Sequence, residues 1–512
     1  MKIPKLVTLS LLLIPWTYAE RAIANPSCSV TGLTCTTIPG NGRSLVQCLP
    51  SGLGGSTPRA LVIGLHGGGS NPDQLVDAAG ACRMNQLAKN NNFVAVYPQG
   101  TVSDGCVDAN AQDKQYFWKD CRNDNTYTHP AAGVDDVAFI RDIVDAYVGY
   151  VGNDYKIDPN KVYVWGESNG GLMAYRVGRQ LSDRVAAIAA VIANEPSNSS
   201  CNSNPLPISP TPTLIMNSDE DPLMPNIGGE ITGLPLETDP PNTCTGGDTH
   251  GSVESIDDTT QAWLTNNGCN GTYTWNSLSD VYTNDGPGDP IRTNSHVEKY
   301  TFTAGCTESA RVEVYAVIKG GHRIPEVHNP VPGPTCSNDD DPPAFPFGCQ
   351  NADITAADTI WSFFSGKTLG STVHVPMSVN AGVGTLAGGV TATYNDDNSY
   401  VTASNAVSPS AGFSYYVGPR ALTSLNVLVR SKDAKSTGTT RKIYLFNYAT
   451  QQWVQQASSA VGTSESETTF TITTNLNNYR ESAGYVDVAV EHARSSQTTT
   501  MSVDRVLLGV NQ

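Results

Sequence analysis

The run Lys161-Val-Tyr-Val-Trp165 passes directly into Gly166-Glu167-Ser168-Asn169-Gly170-Gly171, and a helical segment starts near Leu172. A strand that turns through glycines straight into a helix leaves few architectures open. The glycines allow a backbone approach that a Cβ would forbid, so a serine held there stands exposed over the helix N-terminus. In this strand–turn–helix setting Gly-x-Ser-x-Gly predicts Ser168 as a nucleophile and the Asn169 amide as a donor to a developing oxyanion.

The neighbourhood of this turn reads as an α/β layer structure. Ala60–Leu65, Phe93–Tyr97, Lys161–Trp165, Val185–Ala193, Pro212–Met216 and Arg311–Ile318 are short apolar runs separated by longer helical stretches. Such runs predict strands buried on both faces of a mostly parallel sheet. Between Asp135 and Val148, Val137, Ile140, Val144 and Val148 recur at helical spacing. A closing helix is expected over Asp353–Phe364, with Asp353 as its N-cap and Gly366 beyond its end. Four segments, Gly100–Gly133, Asn194–Pro210, Pro225–Ser255 and His328–Cys349, are long for connectors, and each contains cysteine. No internal repeat is found.

Serine needs an imidazole to take its proton and a carboxylate to fix the imidazole's tautomer, in the chain order serine, acid, histidine. The strand Pro212–Met216 leads into Asn217-Ser218-Asp219-Glu220-Asp221, at the strand end where α/β sheets place their sites. Asp221 is the expected acid, with Asp219 as the alternative. Of the histidines beyond it, His322 follows the strand Arg311–Ile318 through Lys319-Gly320-Gly321; His250, His296, His328, His374 and His492 are expected at the surface, in polar loops or the β-rich tail. Leu65-His66-Gly67-Gly68-Gly69 follows an earlier strand, and its glycine amides, Gly67 and Gly68, are the expected second source of oxyanion donors. A phosphate cradle is the competing reading of this loop, but it lacks both the Lys-Ser/Thr of a P-loop and the G-x-G-x-x-G spacing.

Charge and cysteine content bound the remainder. The chain has 512 residues, with 31 basic against 48 acidic side chains and a net charge of −17. With no basic run, nucleic acid is disfavoured as a partner. Met1–Lys5 is a basic start, Leu6–Ile14 is mostly apolar and Ala22-Ile23-Ala24 supplies a small-residue cleavage site, so residues 1–24 are expected to be a secretory signal peptide, with Ala19 as an alternative end. The apolar run is too short to span about 30 Å of hydrocarbon, so no membrane partner is expected. Without residues 1–24 the balance is 28 basic to 47 acidic, or −19. All 12 cysteines lie beyond that cut, an even number suited to disulfides in an exported protein. Their spacings give no paired zinc motif, and neither metal nor cofactor is expected.

After Lys367 there is no cysteine, and the composition turns to Ser, Thr, Val, Asn and Gly. Val390–Tyr394, Phe413–Val417, Leu425–Arg430, Lys442–Phe446, Thr469–Thr473, Tyr485–Val490 and Ser502–Leu508 alternate as strands, which predicts a β-sandwich over residues 368–512. His374 and His492 are expected to lack any partner that would make a nucleophilic or metal site. The many tyrosines of this segment fit either strand packing or a polymer-binding face.

Six blocks in order carry a family resemblance: LHGGGSN at 65–71, YPQG at 97–100, GVDDVAFIRDIV at 133–144, VYVWGESNGGLMAYRVGRQLSDRVAAIAAVIA at 162–193, DEDPLMPNIGG at 219–229 and GGHRIPE at 320–326. Together they resemble secreted polyhydroxybutyrate depolymerase-like esterases and bacterial feruloyl esterases, over roughly residues 40–367. The resemblance implies an α/β-hydrolase fold for residues 25–367, with Ser168, Asp221 and His322 as the catalytic triad and Asn169, Gly67 and Gly68 as oxyanion donors. It implies a carboxylic-ester hydrolase whose partner is an ester substrate, either a polyester, including an insoluble one, or a hydroxycinnamoyl ester on plant polysaccharide. It also favours a Cys269–Cys306 disulfide; Cys106–Cys121 and Cys336–Cys349 are local pairs that would pin two long loops. The family's G-G-G-H-T-W-P-G is replaced by Lys319-Gly-Gly-His-Arg-Ile-Pro-Glu326, and V-P-Y by Met224-Pro225-Asn226. A binding protein with a degenerate hydrolase domain is the alternative reading.

Overall fold

The computed structural model describes residues 28–511 except 41–42, 54–56, 78, 103–115, 123–133, 150–154, 198–208, 232–250, 279–294, 308–309, 328–346, 371, 375, 377, 389–399, 418–421 and 483. The expected signal peptide, the strand Val390–Tyr394, His250, His328 and four cysteines (Cys106, Cys201, Cys244, Cys336) lie outside the described residues. Two compact units divide the chain between Leu369 and Gly370.

The first unit is built on a ten-stranded sheet. Its strands, in chain order, are β1 (Leu33–Gly40), β2 (Arg43–Pro50), β3 (Arg59–Leu65), β4 (Val94–Pro98), β5 (Ile157–Glu167), β6 (Ala187–Val191), β7 (Thr213–Ser218), β8 (Tyr273–Ser277), β9 (His296–Phe302) and β10 (Val312–Ile318). Across the sheet the order is β1-β2-β4-β3-β5-β6-β7-β10-β9-β8. The centre is parallel, from β4 through β3, β5, β6 and β7 to β10. The two edges, β1-β2 and β9-β8, join it antiparallel. This is the strand order of an α/β-hydrolase sheet, read directly from the pairing.

The helices α1 (Pro72–Asp77), α2 (Ala79–Asn91), α3 (Asp136–Gly149), α4 (Asn169–Gln180), α5 (Ile256–Asn266) and α6 (Ala356–Phe364) complete the layers. On one face Val137, Ile140 and Val144 of α3 and Leu172 and Val177 of α4 share a core with Leu61, Ile63 and Val164. On the other, Met84 and Leu87 of α2 and Ile360 and Phe363 of α6 pack with Val62, Tyr163 and Leu214. Adjacent strand residues thus face opposite cores, which is why β3, β4, β6 and β7 are buried throughout and read as unbroken apolar runs. Burying each Leu, Ile or Phe of these faces contributes about 2 kcal/mol.

The closing helix differs from expectation. Its N-cap is Thr355, not Asp353. Asp353 instead accepts a hydrogen bond from Asn351 Nδ2 at 2.8 Å, and its amide donates to Asn351 Oδ1 at 3.1 Å, so the chain is still turning there. Three disulfides are described, Cys28–Cys82, Cys35–Cys48 and the expected Cys269–Cys306. Cys121 and Cys349 are also disulfide-bonded, while Cys106 and Cys336, their expected mates, lie outside the described residues.

The second unit consists of antiparallel strands in two sheets. One contains Thr372–His374, Thr385–Ala387, Val401–Ala406, Ser424–Asp433, Ser466–Ile472 and Thr499–Asn511; the other contains Ser378–Val383, Ser410–Tyr416, Thr439–Asn447, Gln452–Val461 and Tyr485–Ala493. Val427, Val429, Val503 and Val506 of the first sheet and Phe413, Ile443, Leu445 and Val488 of the second form one buried cluster.

His492 corrects the sequence reading. It is fully buried, with Nδ1 3.0 Å from Asp433 Oδ2 and Nε2 3.0 Å from Ser431 Oγ. Ser431 and Asp433, two apart on one strand, project from one sheet and His492 from the other. All three are closed off from solvent, and Ser431 Oγ also accepts a hydrogen bond from Arg441 Nη1 at 3.0 Å. A buried polar network needs every member satisfied, and this one ties the two sheets together. Burial lowers the pKa of His492. Burial works against the Asp433 charge, yet hydrogen bonds from His492, Thr499 and the Lys435 amide hold its carboxyl below the usual range.

Candidate active site

Four parallel strands end at the same edge of the sheet, and each delivers one predicted element of the site. After β3 comes His66–Gly69, after β5 Ser168, after β7 Asp221 and after β10 His322. This is the edge at which α/β sheets assemble their ligands and reactive groups.

Ser168 sits between β5 and α4 with φ 50° and ψ −123°. A non-glycine residue seldom adopts a positive φ, and the turn is forced by its surroundings. A Cβ on Gly166 would lie 2.1 Å from the Gly170 carbonyl oxygen, and one on Gly170 would lie 2.2 Å from that of Leu65. Glycine at both places lets strand, turn and helix close on one another. The Ser168 amide donates to Val191 O at 3.0 Å, fastening the turn to β6.

Asp221 and His322 are brought together. His322 Nδ1 lies 2.7 Å from Asp221 Oδ2, and the other carboxylate oxygen accepts from the Leu223 and Met224 amides at 2.8 Å each. Both side chains are almost completely buried. Asp219, the alternative acid, accepts from the Lys319 amide at 2.5 Å and so braces the loop that leads to His322. The His322 amide donates to Phe347 O at 2.7 Å and the Gly321 amide to Cys349 O at 3.0 Å. This second strand of support was not anticipated, because nothing local in the sequence pairs these segments. Ile324, where the resembled family carries Trp, is buried in the core.

The Gly67–Gly68 turn lies against the Ser168 turn. A Cβ on Gly67 would be 3.6 Å from Ser168 Cβ, and one on Gly68 would be 3.4 Å from Asn169 Cβ. The Gly67 amide is engaged, donating to Glu167 Oε1 at 3.4 Å, and the Gly69 amide donates to Tyr116 O at 3.0 Å. Among the described residues the amides of Gly68 and Asn169 have no partner, so of the two glycines Gly68 is the better-placed donor. His66 is fully buried, its Nδ1 2.8 Å from Gly67 O while its Nε2 accepts from the Gly100 amide at 3.0 Å. Those two bonds suit only the neutral ring, and burial lowers its pKa to about 4.

The Asn169 side chain has a structural role that the sequence did not reveal. Its side chain pairs with the Trp118 backbone, accepting from the amide at 2.7 Å and donating to the carbonyl at 3.0 Å, and also donates to Asp120 Oδ2 at 2.6 Å. Asp120 is paired with Arg122 at 2.9 Å, and Trp118 Nε1 donates to His66 O at 3.0 Å. The segment Tyr116–Arg122 is therefore bolted to both turns of the site. Among the described residues no three His, Cys, Asp or Glu side chains gather as a metal site, and no helix is long and apolar enough to cross a membrane.

Ser168, Asp221 and the Gly67–Gly68 turn all fall inside one stretch of recognisable sequence. Residues 53–260 match the phospholipase/carboxylesterase family. The match covers less than half of the chain, and His322 lies beyond it. Two curated relatives cover similar shares of the chain. The esterase-like protein NocK of Nocardia uniformis subsp. tsuyamanensis is 28% identical over 180 residues, 35% of this chain and 44% of that protein. The bifunctional acetylxylan esterase/xylanase XynS20E of Neocallimastix patriciarum is 25% identical over 169 residues, 33% of this chain and 21% of that protein. The chain thus spans less than half the length of either relative. Among solved structures, an acetyl xylan esterase from Aspergillus awamori is similar at 15% identity and a TM-score of 0.34, over 58% of this chain and 95% of that one. The feruloyl esterase module from Clostridium thermocellum is similar at 15% identity and a TM-score of 0.26, over 40% of this chain and 73% of that one.

Proposed function

We propose that the chain is a secreted serine carboxylic-ester hydrolase that works through an acyl-enzyme on Ser168. The observation that carries this reading is the Asp221–His322 hydrogen bond at the strand edge that also presents the Ser168 turn. With Nδ1–H donating to Asp221, Nε2 is left as the base. It takes the Ser168 proton as Oγ attacks the ester carbonyl, and the tetrahedral oxyanion is met by the Asn169 and Gly68 amides. His322 then gives that proton to the leaving alcohol, and water, activated by the same nitrogen, releases the acid.

The substrate is proposed to be a hydroxycinnamoyl ester on plant polysaccharide or a polyhydroxyalkanoate-like polyester. The acetylxylan esterase among the relatives adds weight to an ester borne on polysaccharide. Asn226, which replaces a family tyrosine near the site, bears on that choice, whereas Ile324 is taken up by the core. The disulfides among the described residues support an exported protein. The C-terminal unit is proposed to be a β-sandwich that holds the enzyme on polymer or carbohydrate. Hydrolysis of a p-nitrophenyl ester tests the reaction class, and release of ferulate against 3-hydroxybutyrate from matched substrates tests the substrate; no turnover of any ester would favour the non-catalytic alternative.

A further inference from the structure

Glu167 is a carboxylate inside the Ser168 turn to which the proposed reaction assigns no step. Its Oε1 accepts the Gly67 amide, and a Cβ on Gly67 would sit 3.5 Å from that same oxygen. Two consecutive peptide planes of the neighbouring turn are thereby pinned. In the plane joining His66 to Gly67, the carbonyl accepts from Trp118 Nε1 and the amide donates to Glu167. In the next plane, the Gly67 carbonyl lies 2.8 Å from His66 Nδ1 and accepts from the Ser70 amide at 3.3 Å. A trans peptide directs its N–H opposite to its C=O. With the Gly67 carbonyl held towards His66 and Ser70, the Gly68 N–H is aimed the other way. Glu167 is the one contact in this set that comes from the serine's own turn.

We infer that Glu167 is a positioning residue that clamps the Gly67–Gly68 turn to the Ser168 turn, setting the Gly68 amide beside that of Asn169 for the oxyanion. This rests on the serine-esterase reading above. The clamp needs an acceptor and not a charge. Burial raises the Glu167 pKa, offset in part by the Gly67 amide and the charge of His322, and either protonation state keeps an oxygen for Gly67.

The test compares Glu167→Gln, which keeps a carbonyl oxygen at that reach, with Glu167→Met, which keeps length but accepts nothing. Circular dichroism and a thermal midpoint are taken for both, and Ser168→Ala is run alongside on p-nitrophenyl acetate. Removing an oxyanion donor outright costs about 100- to 1000-fold in kcat, so displacing one should cost about 10- to 100-fold with KM changed less than about threefold. Glu167→Met is expected to show that loss and Glu167→Gln to recover to within about threefold of the native kcat. Native kcat in Glu167→Met overturns the inference, as does an equal loss in both variants, which would mean that charge matters instead. If Glu167→Met fails to fold, Glu167→Gln decides alone, and a loss beyond about tenfold in that folded variant counts against the clamp. Activity in Ser168→Ala would remove the esterase reading and the clamp with it.

Discussion

Asp221 and His322 stand 101 residues apart in the chain and meet at 2.7 Å across the ends of β7 and β10. Because these strands are hydrogen-bonded neighbours in parallel register, the pair is set by the sheet itself. The loops that carry the two residues need only short reach. The adjacent Asp219–Lys319 contact ties the same two loops a second time.

The Ser168→Ala variant should keep the native fold and lose at least about a thousandfold in turnover, as expected when a member of a cooperating triad is removed. Steady-state hydrolysis of p-nitrophenyl acetate, with circular dichroism as the folding control, measures it. Turnover within about tenfold of native would remove Ser168 from the mechanism.

The two carboxylates should separate cleanly. Asp221→Asn puts a donor where His322 Nδ1–H needs an acceptor, favours the wrong tautomer, and should cost about 10⁴-fold in kcat. Asp219→Asn weakens one bond to the Lys319 amide, and a lost hydrogen bond of this kind is worth about 1 kcal/mol of stability with a small effect on rate. Kinetics and urea unfolding of both variants distinguish them, and the reverse ranking would exchange their roles.

His66 gives the site turn a dependence on pH. Its folded pKa, about 4, lies below the value of about 6.5 for an unfolded histidine. The unfolded chain therefore binds the proton more readily. The contribution is fully present above about pH 6.5 and is lost as pH falls towards 4, amounting to roughly 3 kcal/mol over that window. Urea unfolding at intervals from pH 7.5 to 4 should show this fall, and His66→Gln should flatten it. An unchanged slope in that variant would place the dependence elsewhere.

A chain ending at Leu369 should retain turnover on a small soluble ester and lose adsorption to an insoluble one, if the C-terminal unit acts by raising local substrate concentration. Pull-down on polymer particles and soluble-substrate kinetics make the comparison. Equal loss of both would assign the unit a bracing role.

What could be read from the sequence follows from where each determinant resides. The Ser168 turn was legible because its requirements are local, Gly166 and Gly170 being excluded from carrying a Cβ by backbone atoms close in the chain or on the next strand. The six parallel strands were legible because burial on both faces leaves an apolar run. The edge strands β1, β2, β8 and β9 were not, and Tyr273–Ser277, largely exposed along its length, shows why: an edge strand has little hydrophobic pattern to announce it. The Asn169–Asp120 and His322–Phe347 contacts join segments distant in the chain, and only the fold pairs them. The environment of His492 was misread for the same reason, since its partners come from the opposing sheet.

The hidden trio of the C-terminal unit bears on how reactive serines are counted in this chain. Ser431, His492 and Asp433 have the same atom types at similar separations as a working relay, so a geometric template would return them as a match. Their hydroxyl is packed among protein atoms where no carbonyl can arrive. A fluorophosphonate probe, which reports activation and access together, should therefore attach once per molecule, at Ser168, and a second adduct would appear only after the two sheets have come apart.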